Sequence, residues 1–467
     1  MELQKQHRVY VLILAVLLFM GLLATPASLP QPAWHMLLVA MGAGLLWMSE
    51  LLPMGITSLV VIFTLSILDI LPLREGLALV FHPVSAIVFA GFCLAAALQK
   101  YGLDRRLSLS LIIRMGQGAS RTVLGMMIAT ALLSMIISNS ASTAIMVAMA
   151  IGLLKTAGAV PGQSQLGRVL LLGIPFAANI GGMGTPVGTP GNAITLALLR
   201  DLTAIELSFL AWMAYAVPVV IVLVPLAWRL LLWVYPPEAR GLDLEQCRRE
   251  LNELGPMGYE EKKVALIVLV ITLLWAGEPF LAQVPDWTAT VALLGVIILA
   301  TPGLGVLTWK EIHQHTGWHI FLLVGGGLAL GTGLVTTGAV ELLVGQATPY
   351  LTQLPYTLIL GMVSALTAMA ILFFCTISGT ATTFVPLALG LALAMDWPPA
   401  LFALAAGLSS SFAFLLPANS APNALAYGAG YFRPMEMFKA GALLMVVGVM
   451  VIMFMAAVVW PVLHSLL

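Results

Sequence analysis

Apolar residues fill this chain in long runs, and polar residues gather in a few short clusters within them. A helix that crosses a bilayer needs about 20 apolar residues. By that measure eleven stretches read as spans: 8–24, 34–52, 55–72, 84–100, 168–198, 208–234, 263–281, 287–301, 318–335, 399–430 and 437–464. Two more, 122–153 and 357–392, are apolar but broken by small polar residues. Each is long enough to enter and leave the membrane as a hairpin. The expected fold is therefore an all-α polytopic membrane protein with eleven spans and two re-entrant hairpins. Composition agrees: 9% of the 467 residues are charged, against about 25% in soluble domains. Val9–Leu23 follows a short arm with Lys5 and Arg8, and the Leu-Pro-Gln-Pro after it is a poor cleavage site, so it reads as a span rather than a signal peptide.

The pattern repeats. Gly91–Gly102 aligns with Gly327–Gly338, Ser138–Thr143 with Ser378–Thr383, and Thr185–Ala193 with Leu416–Ala424, at offsets of 236, 240 and 231 residues. Three matches in one order predict an internal duplication. Charge predicts that the two copies are inverted. Lys100, Arg105, Arg106, Arg114 and Arg121 outweigh Asp104 in the loop 100–121, which the positive-inside rule places in the cytoplasm. The related loop 336–357 holds Glu341 and no Lys or Arg. The reading puts the N-terminus inside and the C-terminus outside. It divides the chain into scaffold helices at 1–83, a first repeat at 84–234, a linker at 235–262, further scaffold helices at 263–317 and a second repeat at 318–467. The linker carries Arg240, Arg248, Arg249, Lys262 and the adjacent Lys263 among seven acidic residues, and reads as an amphipathic interfacial helix. Inverted repeats with interrupted helices are a signature of secondary transporters.

The polar clusters carry the chemistry. Ser134, Ser138, Asn139, Ser140, Ser142 and Thr143 lie at membrane depth. Serine and threonine can be helix glue, which explains one or two hydroxyls. Asn139 between two serines fits better a break between half-helices, where free N–H groups and positive helix ends face an anion and unwound oxygens ligate a cation. Asn179-Ile-Gly-Gly-Met-Gly-Thr185-Pro-Val-Gly188-Thr189-Pro190-Gly-Asn192 cannot continue as a helix. Non-helical backbone at this depth survives only inside protein or beside a water-filled cavity. Leu416-Pro-Ala-Asn419-Ser420-Ala-Pro-Asn423 is broken in the same way.

Absences narrow the function. No Lys, Arg, Asp or Glu lies within 122–154, 169–199, 357–395 or 397–432. An anion there must be held by dipoles, hydroxyls and amides, with co-bound cations balancing its charge. A membrane enzyme would need intramembrane His, Asp or Glu clusters, and a channel would not need paired broken helices. Net charge is zero, which argues against a nucleic-acid partner. Cys93, Cys247 and Cys375 are too scattered for a disulfide framework or metal cluster. Gly325-Gly-Gly327 lacks the strand and Lys of a phosphate loop and reads as close helix packing. His82 and His319 begin related spans and read as interfacial.

At these residues the chain resembles the divalent anion–sodium symporter family, which includes sodium-coupled dicarboxylate and citrate carriers. The resemblance rests on Ser138-Asn139-Ser140, on Gly181–Ala193, on Ser378-Gly379-Thr380, and on Leu416–Ala424 with the Tyr-Gly-Ala-Gly-Tyr that ends at Tyr431. It implies an inner-membrane homodimer, each protomer with a scaffold and a transport domain, working by elevator-type alternating access. It implies sodium at Ser134, Ser138, Asn139 and Gly188. A second sodium site would draw on positions 374, 377, 379 and 419, where this chain has Phe374, Ile377, Gly379 and Asn419; Gly379 replaces the family's Asn, and Phe374 stands where a repeat of Ser134 would supply a hydroxyl. Asn419 lies opposite Gly188 in the repeat and is the candidate to return an amide oxygen. Ser138, Asn139, Ser140, Ser378, Gly379 and Thr380 would cradle the two carboxylates of a small divalent anion such as succinate, with Thr189 and Ser420 lining the cavity. Sodium-independent exchange and transport of sulfate or another oxyanion are the alternatives.

Overall fold

A computed structural model describes residues 21, 30–49, 51–239, 241–278, 284, 286–351, 353–374 and 376–466. The expected span 8–24, apart from residue 21, and Arg240 and Cys375 lie outside the described residues. Among those residues the chain is helical throughout, with one isolated bridge between Gly118 and Gly241.

The principal helices in chain order are α1 (Gln31–Ser49), α2 (Met54–Ile67), α3 (Pro83–Lys100), α4 (Leu103–Met115), α5 (Ala119–Ser134), α6 (Asn139–Thr156), α7 (Gln165–Gly182), α8 (Pro190–Thr203), α9 (Phe209–Val234) and α10 (Glu245–Glu253). There follow α11 (Tyr259–Ala276), α12 (Trp287–Ala300), α13 (Trp309–His315), α14 (Trp318–Thr336), α15 (Ala339–Leu351), α16 (Tyr356–Phe374), α17 (Ile377–Ala394), α18 (Pro399–Ser409), α19 (Ala421–Gly428) and α20 (Pro434–Phe454). Among the described residues, six helical stretches are long and apolar enough to cross a membrane: Leu73–Lys100, Phe209–Val234, Trp318–Thr336, Tyr356–Phe374, Ile377–Ala394 and Pro434–Leu463. Large apolar side chains lie on their surfaces: Ile221 and Trp233 of Phe209–Val234 are 65% and 76% exposed, and Phe373 of Tyr356–Phe374 is 59% exposed. A surface of that kind suits lipid, because hydrocarbon exacts no penalty for it.

The hairpins and the broken helices are interrupted where the polar clusters fall. The stretch 122–153 becomes α5 and α6, parted at Met135–Ser138, and 357–392 becomes α16 and α17. The stretch 168–198 becomes α7 and α8 around a Gly/Pro turn. In 399–430, α18 stops at Ser409 and α19 resumes at Ala421.

The chain forms two compact units. Unit I comprises the described residues among 1–85, with 193–206 and 317–410; unit II comprises 86–192, 207–316 and 411–467. In unit I, α14 carries Gly325, Gly326 and Gly327 against neighbouring backbones. A methyl group on Gly325 would stand 2.7 Å from the Cα of Val80, one on Gly327 would stand 2.6 Å from Thr382 Oγ1, and one on Gly326 would overlap Ser58. The three glycines are a close-packing face, as expected. His82 lies 3.4 Å from Asp201 in the same unit.

In unit II the linker lies on α4. The Leu242 N–H donates to Gln117 O at 2.7 Å. Arg105 pairs with Glu250 at 2.8 Å, while Arg106 binds both carboxylate oxygens of Glu261 and the carbonyl of Gly255. Within α10 only Cys247 is buried, so the helix presents one narrow apolar edge inward. Burial and the charges of Glu250 and Asp243 push its thiol up to about 11. Glu238 fastens the linker to α7: it accepts hydrogen bonds from the Ser164 hydroxyl and the Leu166 N–H. Burial alone would raise the Glu238 carboxyl, but these donors more than offset it and hold the carboxyl low.

Candidate functional site

The site begins where α5 stops. Ser134 is its last residue, and Ser138 starts α6 by accepting the Ala141 N–H at 3.3 Å. A serine at this position satisfies one of the free N–H groups of a helix start. The three residues between them are not α-helical, and the first is pinned by Thr185, whose hydroxyl donates to the Met135 carbonyl. The hydroxyls in these helices differ in what they bond. Thr130 and Ser142 bond carbonyls of their own helix and act as glue. Ser134 does not.

Ser134 Oγ lies 2.6 Å from Asn139 Oδ1 and 2.8 Å from the carbonyl of Ala178 on α7. All three groups are buried. A hydroxyl has one proton, so it can donate to only one of these acceptors. Three oxygens thus converge with one hydrogen among them. A hard cation, which takes oxygen ligands, suits such a cluster. Ser134, Asn139 and the Ala178 carbonyl are the groups that would hold it.

Asn179, one residue further along α7, links this cluster to the second broken helix. The Asn139 amide donates toward Asn179 Oδ1 at 3.4 Å. The Asn179 amide in turn faces the Ala413 carbonyl at 3.1 Å, Asn423 Oδ1 at 3.3 Å and Ser420 Oγ at 3.4 Å. Asn139, Asn179 and Asn423 form a chain of amides, each aligned by the next. Asn179 belongs to the Gly/Pro motif but not to the expected site residues; its signal in the sequence is a lone amide in an apolar helix just before the Gly-Gly break.

The two Gly/Pro turns are built alike. Asn192 Nδ2 donates to the carbonyls of Gly182 and Thr185 at 2.8 and 2.7 Å. Asn423 Nδ2 donates to those of Ala413 and Leu416 at 2.7 and 2.9 Å. Both bonds therefore reach back ten and seven residues in each turn. Thr189 and Ser420 accept the N–H of Asn192 and Asn423 at 3.4 Å, capping α8 and α19. Asn192 Oδ1 is buried with no partner, an acceptor open to a donor or a cation. Gly188 is buried, and a methyl group there would overlap the Gly182 carbonyl.

Of the expected residues, Ser134, Ser138, Asn139, Ser140, Gly188, Thr189, Asn419 and Ser420 lie in unit II, and Ile377, Ser378, Gly379 and Thr380 in unit I. Ser138 is exposed and Ser140 half-buried, while Ser134, Asn139 and Thr189 are buried. Asn419 Oδ1 accepts the Leu416 N–H at 2.8 Å and so closes its own turn. In unit I, Thr380 Oγ1 donates to the Thr376 carbonyl at 2.9 Å. The N-terminus of α17 has no side-chain cap.

Lipid-facing helices around two interrupted, hydrogen-bonded turns define an integral membrane transporter. The sequence matches the family described as the sodium:sulfate symporter transmembrane region over residues 4–466, and the chain belongs to that family. It is a transporter and not an enzyme. A protein of Haemophilus influenzae called an uncharacterized transporter is 31% identical over 96% of both chains. The sodium-dependent dicarboxylate transporter SdcS of Staphylococcus saprophyticus is 29% identical over 96% of this chain and 91% of its own. Among solved structures, the YdaH transporter of Alcanivorax borkumensis superposes with a TM-score of 0.55 at 14% identity, over 82% of this chain and 86% of that one. That likeness concerns the fold alone.

Proposed function

We propose that this protein is a secondary active transporter for the sodium-coupled uptake of small divalent anions, C4-dicarboxylates such as succinate foremost. The observation that carries the reading is the Ser134 hydroxyl, set between two acceptor oxygens with one proton to share. The dicarboxylate transporters among its relatives support the choice of substrate and ion.

The sequence of events follows from charge. No Lys, Arg, Asp or Glu lies in the four polar segments, so an anion entering first would lose its hydration without a counter-charge. Sodium enters first, separates the crowded oxygens of Ser134, Asn139 and Ala178, and straightens the Asn139–Asn179–Asn423 chain. The anion then meets a partly neutralised site. By the family resemblance, Ser138 and Ser140 with Thr189 and Ser420 in unit II, and Ser378, Gly379 and Thr380 in unit I, are the candidates to bind the carboxylates. Gly188 and Asn419 fix the turns. Alternating access is of the elevator type in a homodimer, with the N-terminus cytoplasmic and the C-terminus outside; the family resemblance and the loop charges support these points.

Labelled succinate uptake into proteoliposomes tests the reading. Stimulation by an inward sodium gradient is the expected result. Stimulation only by succinate preloaded inside makes the protein an exchanger, and uptake of sulfate but not succinate moves it to oxyanions.

A further inference from the structure

The two hairpins differ at the positions where the first gathers oxygen. The offset of 240 residues carries Ser134 to Phe374 and Asn139 to Gly379, and the offset of 231 in the broken helices carries Asn179 to Ser410. The hydroxyl and both amides of the first cluster are thus missing together from the second copy. Phe374, Gly379 and Ser410 all lie in unit I, with Gly44 and Trp47 of α1.

Aromatic rings occupy that part of unit I. Phe374 lies so close on α1 that a methyl group on Gly44 would stand 3.3 Å from its Cε1. Its ring meets Phe384 edge to face, with centroids 6.2 Å apart. Trp47 is wholly buried, and its ring N–H points away to the Met54 carbonyl at 3.4 Å. A side chain begun at Gly379 would meet the Thr376 methyl at 2.7 Å, Phe374 at 3.7 Å and Trp47 at 4.0 Å. The absence of a side chain at 379 therefore accommodates these groups; an asparagine would have to displace one of them. Three of the surrounding hydroxyls bond within their own helices. Thr380 donates to Thr376 O at 2.9 Å, Thr383 to Gly379 O at 3.0 Å, and Ser410 to Gly407 O at 2.7 Å.

A hard cation needs several oxygen ligands to replace its water. In the second copy, rings and methyl groups stand where the first has the Ser134 hydroxyl and the Asn139 amide, and the buried, unpartnered Thr382 hydroxyl lies against Gly327 of α14 instead. We infer that Phe374, Trp47 and Phe384 form a packed aromatic plug where the duplication would place a second cation site, so that coupling runs through a single sodium ion at Ser134 and Asn139. The inference rests on the sodium-coupled reading above and fixes its stoichiometry.

Sodium titrations of the purified, reconstituted protein test it. Uptake should rise hyperbolically with sodium, with a Hill coefficient of about 1 and about one labelled sodium ion entering per anion. Sodium should raise the melting temperature of the detergent-solubilised protein; Asn139→Ala should abolish that rise, and Phe374→Leu should leave its sodium dependence unchanged. A coefficient near 2, two sodium ions per anion, or sodium stabilisation that survives Asn139→Ala overturns the inference while leaving sodium coupling in place. A wild-type protein indifferent to sodium in both uptake and melting overturns the sodium reading and the inference with it. If Asn139→Ala does not fold, the wild-type coefficient and flux ratio still decide.

Discussion

Two pairs of regions in this molecule share a sequence pattern, and they differ unevenly. The Gly/Pro turns at 182–192 and 413–423 keep the same construction: an asparagine amide that reaches back ten and seven residues, and a hydroxyl that caps the next helix. The hairpins have not kept theirs. The first surrounds Ser134 and Asn139 with buried oxygens, and the second surrounds Gly379 with rings. The turns are held by bonds to their own backbone, and losing one strands two carbonyls. The oxygen cluster depends on two side chains, Ser134 and Asn139, meeting the Ala178 carbonyl, and those side chains can be exchanged for apolar ones without unmaking the backbone around them. The two turns agree where a side-chain amide ties down the main chain, and the two polar stretches differ where side chains meet one another.

Substitutions that ignore this division would break the comparison. Asn179→Ala should have the largest effect, because it leaves the Asn139 amide and Asn423 Oδ1 short of a partner, at about 1–3 kcal/mol for each buried group. Thermal unfolding and uptake should both suffer, whereas Ser410→Ala at the related position should change stability by less than about 1 kcal/mol, since it loses one bond to its own helix. Equal effects at 179 and 410 would mean that the amide chain carries nothing special. Asn192→Ala and Asn423→Ala should each cost about 1–3 kcal/mol and resemble one another closely; a large gap between their melting temperatures would show that the turns are alike in geometry only. Gly182→Ala places a methyl group onto Asn139 Oδ1 and 2.8 Å from the Thr189 methyl. Overpacking of about 1–3 kcal/mol should weaken sodium binding by roughly 10- to 100-fold, measured by sodium-dependent melting. The smallest effect concerns Glu311. The Lys100 ammonium 2.7 Å away, with the Thr308 N–H, holds its carboxyl down at about 2. A depressed carboxyl stabilises the fold above its ordinary value and loses that contribution as pH falls toward 2. Glu311→Gln should therefore lower the melting temperature slightly at pH 7 and converge with wild type only as pH falls to about 2. For a partly exposed pair the difference is about 0–1 kcal/mol.

Much of the architecture was legible because membrane helices announce themselves by length and apolarity. The breaks at Ser134–Asn139, Gly182–Pro190 and Ser409–Ser420 were visible for the same reason, since glycine, proline and amides interrupt runs that would otherwise continue. The hydrogen-bond partners were not legible. Nothing in the order of residues distinguishes Ser134, which faces Ala178, from Thr130, which turns back on its own helix one turn earlier. Asn179 as the hub was likewise hidden, because its partners Asn139, Ala413 and Asn423 are far apart in the chain. The amide oxygen of Asn419 accepts the Leu416 N–H, a local bond that spacing alone permits but does not require. Phe374 and Gly379 could be seen to depart from the first copy, but only the packing of α1 reveals that the two departures belong together.

Gly182 gives the first site a wall with no side chain. A residue that contributes nothing cannot be tuned: every replacement intrudes on Asn139, and none can enlarge the space or alter its polarity. Selection for a different cargo therefore has no access to the site from this side. It must act through Ser138, Ser140 and Ser420, which are more open to solvent, so that the ion-binding floor stays fixed while the rim is free to vary.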